Sequence, residues 1–265
     1  MLGSGARQES ALGTDQDHAL VLADDARSGA DDWFAALAER MATTLERCGL
    51  PCCPGDVMAT NPTWRVPLGA WQDRFVRWIE QPDEEALLEA AIFFDFRQVY
   101  GDLAAEQPLR RAVRGAAGNG RFLGRLAAAA VRRRPVSRFL GHWRGAHRGR
   151  VDLKAHGTAP IVDLARLFAL EARRPETGTV ARLHAAAGQG RAGAAAIGLL
   201  EAFDYFQQLR LSRQVACQAA GAPADDVIAL SELTALQRQR LKDAMHLVHI
   251  CQERLRITYR TDLIA

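Results

Sequence analysis

The N-terminal stretch restricts the fold of this chain more than any other part of the sequence. Small residues at Gly3–Gly5 predict a turn, and two acidic residues, Asp15 and Asp17, come shortly before the apolar segment Ala19–Leu22. A short apolar run bounded by acidic residues predicts a strand that enters a core. Because residues two apart on a strand point to the same face, we expect the carboxylates of Asp15 and Asp17 to lie side by side.

Two carboxylates held this close predict a divalent metal site. Like charges at short range are costly unless a cation lies between them. Mg²⁺ binds through one or two carboxylates together with waters and substrate phosphates. We therefore predict that Asp15 and Asp17 are catalytic residues that hold Mg²⁺ or Mn²⁺. Taken singly, an Asp-x-Asp pair is also an ordinary turn motif, so the prediction depends on its combination with the turn and the strand.

The same stretch offers groups that suit a phosphate. Backbone N–H groups at Gly3 and Ser4 can approach an anion with no side chain in the way, and Arg7 adds a planar cationic donor. An anion cradle, a metal ion and paired acids are the parts that nucleotidyl transfer requires. We predict that Gly3, Ser4 and Arg7 bind the phosphates of a nucleotide.

Residues 3–20 read Gly-Ser-Gly-Ala-Arg-Gln-Glu-Ser-Ala-Leu-Gly-Thr-Asp-Gln-Asp-His-Ala-Leu. This run resembles the nucleotidyltransferase domain of the DNA polymerase β superfamily. It is most similar to bacterial signalling nucleotidyltransferases, which are often joined to CBS or cyclic-nucleotide-binding domains and are similar to protein-PII uridylyltransferases. Residues 53–65 and 93–102 match the same family, and residues 151–154 and 160–166 match its helical substrate-binding domain.

The resemblance implies an α+β fold, with a small N-terminal nucleotidyltransferase-type sheet followed by a mainly α-helical domain. It places a nucleotidyltransferase-like domain at residues 1–66 and a helical substrate-binding domain at residues 67–265. The family has a strand that runs into the Gly-Ser turn, whereas only Met1 and Leu2 precede the turn here. We therefore expect the first domain to be truncated at its N-terminus: the chain is a piece of a longer protein, its start is misplaced, or its first strand is missing.

The resemblance also implies a function. The expected reaction is the Mg²⁺-dependent transfer of a nucleoside monophosphate from a nucleoside triphosphate to a hydroxyl on an acceptor protein, as in protein-PII uridylylation, with a role in signal transduction. An upstream CBS or cyclic-nucleotide-binding domain is the expected sensor. The alternative is a catalytically inactive module that binds a nucleotide and signals through its helical domain.

Two further residues are candidates for the site, and each has a structural alternative. The superfamily often takes a third carboxylate from a later strand, and Asp56, beside a strand predicted at Val57–Ala59, is the candidate metal ligand by position. Asp56 can equally be a turn residue after Gly55. Lys154, in a Gly- and His-rich loop, can bind a nucleotide phosphate as a point charge. It can also be the ion-paired anchor of that loop.

Helical periodicity predicts helices through most of the remaining chain. One helix begins near Asp31 and Asp32 and ends at Gly49, and we expect its apolar stripe to pack on the sheet. The stripe consists of Trp33, Phe34, Leu37, Met41, Leu45 and Cys48. Further on, Trp71 and Trp78 have the helical spacing of core residues.

Asp95 lies among bulky apolar residues, where a charge is normally paired. We expect an ion pair with Arg97 or with a later arginine. The alternative places Asp95 and Arg97 at the mouth of the active cleft.

The positive charge of the chain is concentrated in one segment. Residues 106–150 hold twelve Arg, no Lys and one acid, whereas the whole chain has a net charge of only +3. Such a segment can attract a triphosphate, an acidic protein or nucleic acid, or it can form solvated helix faces whose Arg pair with acids elsewhere. We do not expect nucleic acid as a partner, because aromatic residues are not interleaved with the basic run.

Cysteine usage and hydropathy bear on the compartment. The cysteines are Cys48, Cys52, Cys53, Cys217 and Cys251, an odd number without a secretory signal, which predicts a reducing, cytoplasmic compartment. Three of them are crowded, but without a Cys-x-x-Cys pair or a nearby His they do not predict a zinc site, and we expect buried thiols. The chain has no run of eighteen apolar residues, so we expect no membrane span.

Overall fold

The computed structural model describes residues 1–27, 29–133, 149–187, 193 and 195–264. Contacts divide the chain into two compact units, Met1–Asn119 and Gly120–Ala265. Both units combine α-helices with a pair of short strands, and helices prevail, so the predicted α+β class with a mainly helical C-terminal part is confirmed. Among the described residues, no helix combines the length and the apolar character that crossing a membrane requires.

The first unit contains two strands and five α-helices in its described residues. In chain order these are α1 (Gly3–Arg7), β1 (Leu20–Leu22), α2 (Ala30–Arg47), β2 (Arg65–Pro67), α3 (Leu68–Glu80), α4 (Glu84–Phe93) and α5 (Glu106–Gly115). Strands β1 and β2 pair in parallel, with Leu20 opposite Arg65 and Leu22 opposite Pro67. The strand predicted at residues 19–22 is therefore confirmed to within one residue.

The prediction of a strand at Val57–Ala59 is wrong, because these residues use their backbone groups elsewhere. The Val57 carbonyl accepts the His18 N–H at 3.0 Å. The Ala59 N–H donates to the His18 ring at 3.1 Å instead of to a neighbouring strand. The chain pairs with β1 further on, at β2.

A cluster of aromatic side chains forms the core of the first unit. Trp71 and Trp78 on α3 are 2% and 1% exposed, as predicted. The Phe93 ring lies with its centroid 5.3 Å from that of Trp71 and 5.4 Å from that of Trp78. Trp71 Nε1 donates to the Leu20 carbonyl at 3.1 Å. This bond ties α3 to β1, the strand that follows the acidic pair.

The apolar stripe predicted for α2 is only partly buried, and it faces a cavity that Leu20 and Val21 of β1 also line. Trp33 is 63% exposed and Leu37 is 37% exposed. The buried residues of α2 are Ala38 and Ala42. The larger apolar side chains of α2 instead line a cavity of about 520 Å³.

The second unit contains five α-helices and two strands in its described residues. They are α6 (Gly120–Arg132), β3 (Arg150–Asp152), α7 (Ala159–Glu171), α8 (Thr179–Ala186), α9 (Ala195–Ala219), β4 (Val227–Ala229) and α10 (Ala235–Tyr259). Strands β3 and β4 pair antiparallel. Helix α7 lies in the core, where Ile161, Leu164 and Leu167 are fully buried. Helix α10 begins at a capping box in which the Thr234 hydroxyl accepts the Gln237 N–H.

The predicted domain boundary after residue 66 does not coincide with this division of contacts. Helices α3, α4 and α5 follow residue 66 and belong to the first compact unit. Compactness does not define where a nucleotidyltransferase domain ends, so the boundary between residues 66 and 67 stays a prediction.

Candidate metal and phosphate site

Side chains along residues 15–18 alternate between an acidic side and a buried side. Gln16 and His18 are 2% and 5% exposed, whereas Asp15 and Asp17 are half-buried. Gln16 forms a parallel bridge with Cys52, which sets the direction of the segment just before β1. Because successive residues of such a segment point to opposite faces, the two carboxylates share the side away from the core.

His18 fixes the buried side of this segment. Its ring Nδ1 accepts the Ala59 N–H at 3.1 Å, and its backbone N–H donates to the Val57 carbonyl at 3.0 Å. Since Nδ1 is an acceptor, the proton of the neutral ring lies on Nε2, which donates to Gln16 Oε1 at 3.0 Å. Burial lowers the pKa of His18 to about 4, so the ring is neutral at neutral pH.

Gln16 extends this network to α2 and to the loop that follows it. Its Nε2 donates to the Ala42 carbonyl at 3.1 Å and to the Leu50 carbonyl at 3.0 Å. Its backbone N–H donates to the Pro51 carbonyl at 2.9 Å. Sequence reasoning missed Gln16 and His18. The available signal was their place at alternate positions beside the two acids, where a polar residue faces the core and needs partners.

The acidic side of the segment meets a thiol from the loop after α2. A carboxylate oxygen of Asp15, one of Asp17 and the Cys53 Sγ all lie within 4.8 Å of one another, and all three residues are half-buried. Burial raises the pKa of the Cys53 thiol to about 11, and its hydrogen bond to Asp17 acts in the same direction. Three potential metal donors from two segments of the chain thus converge.

The two carboxylates suit a hard divalent ion. Mg²⁺ and Mn²⁺ prefer oxygen ligands, and Mg²⁺ keeps waters and phosphate oxygens around one or two carboxylates. Asp15 and Asp17 match this requirement, and they are the residues that would hold the ion. A thiol is not a donor that Mg²⁺ favours, so Cys53 is not expected to bind that ion.

Asp56, predicted as a third metal ligand, is not a member of this cluster within the part of the chain that the structure describes. Its carboxylate accepts a hydrogen bond from Asn61 Nδ2 at 2.9 Å, and its backbone has a φ of 54°. The Asn61 side chain in turn accepts the Thr63 N–H at 2.9 Å. Asp56 therefore belongs to an exposed, internally bonded turn, and its role as a metal ligand stays a prediction.

The prediction of a turn at Gly3–Gly5 is wrong, because these residues begin helix α1, whose first residues lie directly beside Asp17. The Leu2 N–H donates to the Asp17 carbonyl at 2.9 Å, and the Ala6 N–H donates to the Leu2 carbonyl at 3.1 Å. Gly3 begins α1 with a φ of +52°, and a Cβ there would lie 3.1 Å from Asp17 Oδ2. The N–H groups of Gly3 and Ser4 belong to the first turn, where a helix offers them no acceptor of its own. Phosphate binding by Gly3 and Ser4 stays a prediction.

Arg7, at the other end of α1, is held by two acids. Its Nε donates to Glu9 Oε2 at 2.8 Å, and its Nη1 donates to Asp95 Oδ2 at 2.6 Å. Asp95 is fully buried. The guanidinium therefore has a fixed place in the fold, and its binding of a nucleotide phosphate stays a prediction.

The ion pair predicted for Asp95 is present, but the partner that the structure shows precedes Asp95 in the chain. The antiparallel bridge between Leu2 and Phe96 lays this segment beside α1 and brings Arg7 to the buried carboxylate. Periodicity within the segment around Asp95 carries no information about that bridge, which explains why the sequence pointed to Arg97 or to a later arginine.

Lys154 belongs to the second unit, where it opens a π-helical turn, Lys154–Thr158. The residue is exposed. Asp152 Oδ1 accepts the Ala155 N–H at 2.8 Å. Residues 141–148 of the Gly- and His-rich loop lie outside the described residues. Nucleotide binding by Lys154 stays a prediction.

The basic segment at residues 106–150 pairs in part with acids. Arg110 Nε donates to Glu106 Oε1 at 2.8 Å, and Arg133 lies 3.5 Å from the Asp163 carboxylate. Residues 134–148 lie outside the described residues. These pairs favour the alternative in which the arginines serve the fold, and attraction of a triphosphate or an acidic protein stays a prediction.

The expectation of buried thiols is met only in the second unit. Cys217 and Cys251 are buried, whereas Cys48 and Cys52 are exposed and Cys53 is half-buried. The three crowded cysteines follow the end of α2, where the chain runs over the surface, so their apolar character does not place them in the core.

An acidic pair thus lies beside the glycine-rich start of α1, and a mainly helical region follows it in the chain. Two family models match the chain. One, described as "Putative nucleotidyltransferase DUF294", matches residues 1–85. The other, described as "Putative nucleotidyltransferase substrate binding domain", matches residues 120–259, which is more than half of the chain, and the chain therefore belongs to this nucleotidyltransferase-like family. No curated protein and no solved structure matches the chain.

The two matches follow the division into compact units. The first lies within Met1–Asn119, and the second begins at Gly120, the first residue of the second unit. The resemblance to a nucleotidyltransferase family is thus confirmed, and the family indicates nucleotidyl transfer in general terms. A uridylyltransferase-like specificity and a link to CBS or cyclic-nucleotide-binding domains stay predictions.

Proposed function

We propose that this protein is a Mg²⁺-dependent nucleotidyltransferase. It moves a nucleoside monophosphate from a nucleoside triphosphate to a hydroxyl on an acceptor protein, as protein-PII uridylyltransferases do, and serves signal transduction. The observation that carries this proposal is the convergence of the Asp15 and Asp17 carboxylates beside Gly3. The family matches support nucleotidyl transfer in general terms.

Each residue of the site has a role in this reaction. Asp15 and Asp17 would hold Mg²⁺ or Mn²⁺, which would supply positive charge beside the triphosphate. The N–H groups of Gly3 and Ser4 bind the β- and γ-phosphates, and Arg7 adds a cation near the leaving group. The acceptor hydroxyl attacks the α-phosphorus, its proton leaves to solvent, and the new P–O bond forms as the bond to pyrophosphate breaks.

Gln16 and His18 are positioning residues in this account. They hold the segment between the two acids from the core side, through bonds to α2 and to the loop at residues 50–59. Carboxylates on a segment fixed in this way keep their separation without a metal ion, which lowers the cost of binding one.

The alternative function is a catalytically inactive module that binds a nucleotide and regulates. Two observations favour it: Arg7 already pairs with buried Asp95, and the third donor at the acidic pair is a thiol and not a carboxylate. A module of this kind binds nucleoside triphosphate with Mg²⁺ and releases no pyrophosphate.

The test is an incubation of the full chain with labelled UTP, ATP, GTP or CTP and Mg²⁺, together with candidate acceptor proteins. We expect label to enter an acceptor and pyrophosphate to be released. Asp15→Asn should lower this rate roughly a thousandfold, because it removes a ligand of the ion on which the charge stabilisation depends. Asp25→Asn, an exposed acid beyond β1, is the matched control and should retain activity.

Nucleotide binding measured on the same samples separates the two functions. Binding with incorporation supports the transferase. Binding that depends on Asp15, without incorporation or pyrophosphate release for any nucleotide and acceptor, supports the regulatory module. Incorporation that survives Asp15→Asn contradicts the assigned site.

A further inference from the structure

The pairing of two backbone segments places the Cys53 thiol beside the acidic pair. The bridge places Cys52 opposite Gln16, so the residue after Cys52 faces the same side as Asp15 and Asp17. The loop is held there by two bonds. The Cys53 carbonyl accepts the Asp56 N–H at 3.0 Å, and the Cys53 N–H lies 3.4 Å from the Met58 sulfur.

The donor set at this place is mixed. Two carboxylate oxygens and one sulfur lie within 4.8 Å of one another, and donor atoms around one metal ion are roughly 3–4.5 Å apart for bond lengths of about 2.0–2.3 Å. Carboxylates alone select hard ions, whereas a sulfur donor favours Zn²⁺ and other thiophilic ions. The same site therefore offers two sets of ligands to two classes of ion.

We infer that Cys53 is a direct ligand, with Asp15 and Asp17, for thiophilic divalent ions such as Zn²⁺ and Cd²⁺, and that these ions displace Mg²⁺ and inhibit the reaction. The inference rests on the metal role of Asp15 and Asp17 in the proposed function. It names a regulation of that site, by competition between a soft ion held through three protein donors and a hard ion held through two.

The binding step is a simple exchange. The ion forms a bond to Cys53 Sγ, the thiol proton leaves to solvent, and no electron is transferred. An ion held by three protein donors in a tetrahedral arrangement has one position left, whereas a Mg²⁺ ion with two protein donors can take several phosphate oxygens and waters. Transfer of a nucleotide should therefore stop when the soft ion binds, and a chelator should restore it.

The test uses Cd²⁺ alone, without nucleotide, on the reduced full chain. Thiolate coordination gives a sulfur-to-cadmium charge-transfer absorption in the ultraviolet, which reports binding independently of activity. We expect the band to be lost in Cys53→Ser, with Cd²⁺ affinity lowered by at least roughly 10–100-fold, since even an outer-shell partner of a metal costs that much. Asp15→Asn should weaken the affinity in the same range.

Cys52→Ser is the matched control, because Cys52 is adjacent in sequence, exposed and on the Gln16 side of the bridge, away from the two acids. The serine hydroxyl can still accept the Gln16 Nε2–H that the Cys52 sulfur accepts at 3.7 Å. This variant should keep both the band and the affinity, and circular dichroism checks that each variant is folded. A band that survives Cys53→Ser, or one that disappears in Cys52→Ser, overturns the inference.

The outcome is separable from that of the proposed function. If Cd²⁺ binding depends on Cys53 but the chain transfers no nucleotide, the metal site is supported and the transferase function is contradicted. The other outcome is that Mg²⁺ supports transfer, Zn²⁺ does not inhibit it, and Cd²⁺ binding does not depend on Cys53. That result contradicts only the present inference.

Discussion

The two ends of the short helix α1 each face an aspartate, and the two arrangements differ. At the C-terminal end, Arg7 pairs with buried Asp95, so opposite charges balance in a closed contact. At the N-terminal end, Gly3 lies close to Asp17. The Asp17 carboxylate lies near the Asp15 carboxylate and the Cys53 thiol, and none of these groups carries a positive charge. We call the Arg7–Asp95 contact the closed end of α1, and the group of Gly3, Asp15, Asp17 and Cys53 the open end. The closed end serves the fold, whereas the open end brings together side chains that suit a cation.

Removal of Arg7 is the strongest way to break this comparison. Breaking a buried ion pair by deleting one partner leaves an uncompensated charge and costs about 3–5 kcal/mol. We therefore expect Arg7→Met to lower the free energy of unfolding by that amount, measured by urea denaturation. The same change at exposed Arg27 should have little effect. At the open end, Asp15→Asn should not lower stability, because it relieves a contact between like charges.

A double variant tests whether the closed end acts as a pair. Arg7→Met combined with Asp95→Leu removes both charges, and it should recover part of the stability lost in Arg7→Met alone. If Arg7→Met destabilises no more than Arg27→Met does, the closed end is not what holds this part of the fold. A stability loss in Asp15→Asn equal to that in Arg7→Met would erase the distinction between the two ends.

The open end was accessible to sequence reasoning because its geometry is local. Asp15 and Asp17 are two residues apart, and the alternation that puts them on one side needs only a segment leading into a strand. The first-turn acids of α2, Asp31 and Asp32, are local in the same sense, and the structure places them as expected.

Contacts between distant segments were not accessible to sequence reasoning. Cys53 joins the acids through the bridge between Gln16 and Cys52, and Arg7 meets Asp95 across 88 positions of sequence. For α2 the sequence gives a periodic apolar stripe but not what lies opposite it. The buried residues of that helix are alanines, and its large side chains line a cavity.

Protonation of His18 should lower the free energy of unfolding at acid pH. Burial lowers the pKa of this ring from 6.5 to about 4, so the unfolded chain binds a proton between these values and the folded chain does not. Stability from a neutral His18 is therefore complete above about pH 6.5 and is lost as the pH falls towards 4, by up to about 3 kcal/mol. Urea unfolding of the wild type at about pH 4.5 and about pH 7 measures the change.

The control for this prediction is His18→Asn, which keeps an acceptor near the Ala59 N–H and does not titrate. Its unfolding free energy should fall less between the two pH values than that of the wild type. If the free energy of unfolding falls equally in both proteins, other groups cause the acid sensitivity. His18 is then not the residue that holds the acidic segment in place.

The smallest expected effect is at Gly3, and it sharpens the comparison most. Gly3→Ala should cost about 1 kcal/mol of stability, because an alanine is strained at a φ of +52°. Gly49→Ala carries the same kind of strain at a φ of +90° but meets nothing within 4 Å. Both variants should therefore lose similar stability, but only Gly3→Ala puts a methyl group 3.1 Å from Asp17 Oδ2 and should weaken Mn²⁺ binding in a calorimetric titration. Equal Mn²⁺ affinity in the two variants would mean that the space beside Asp17 is not part of the metal site, and the open end would then differ from the closed end only in its charge.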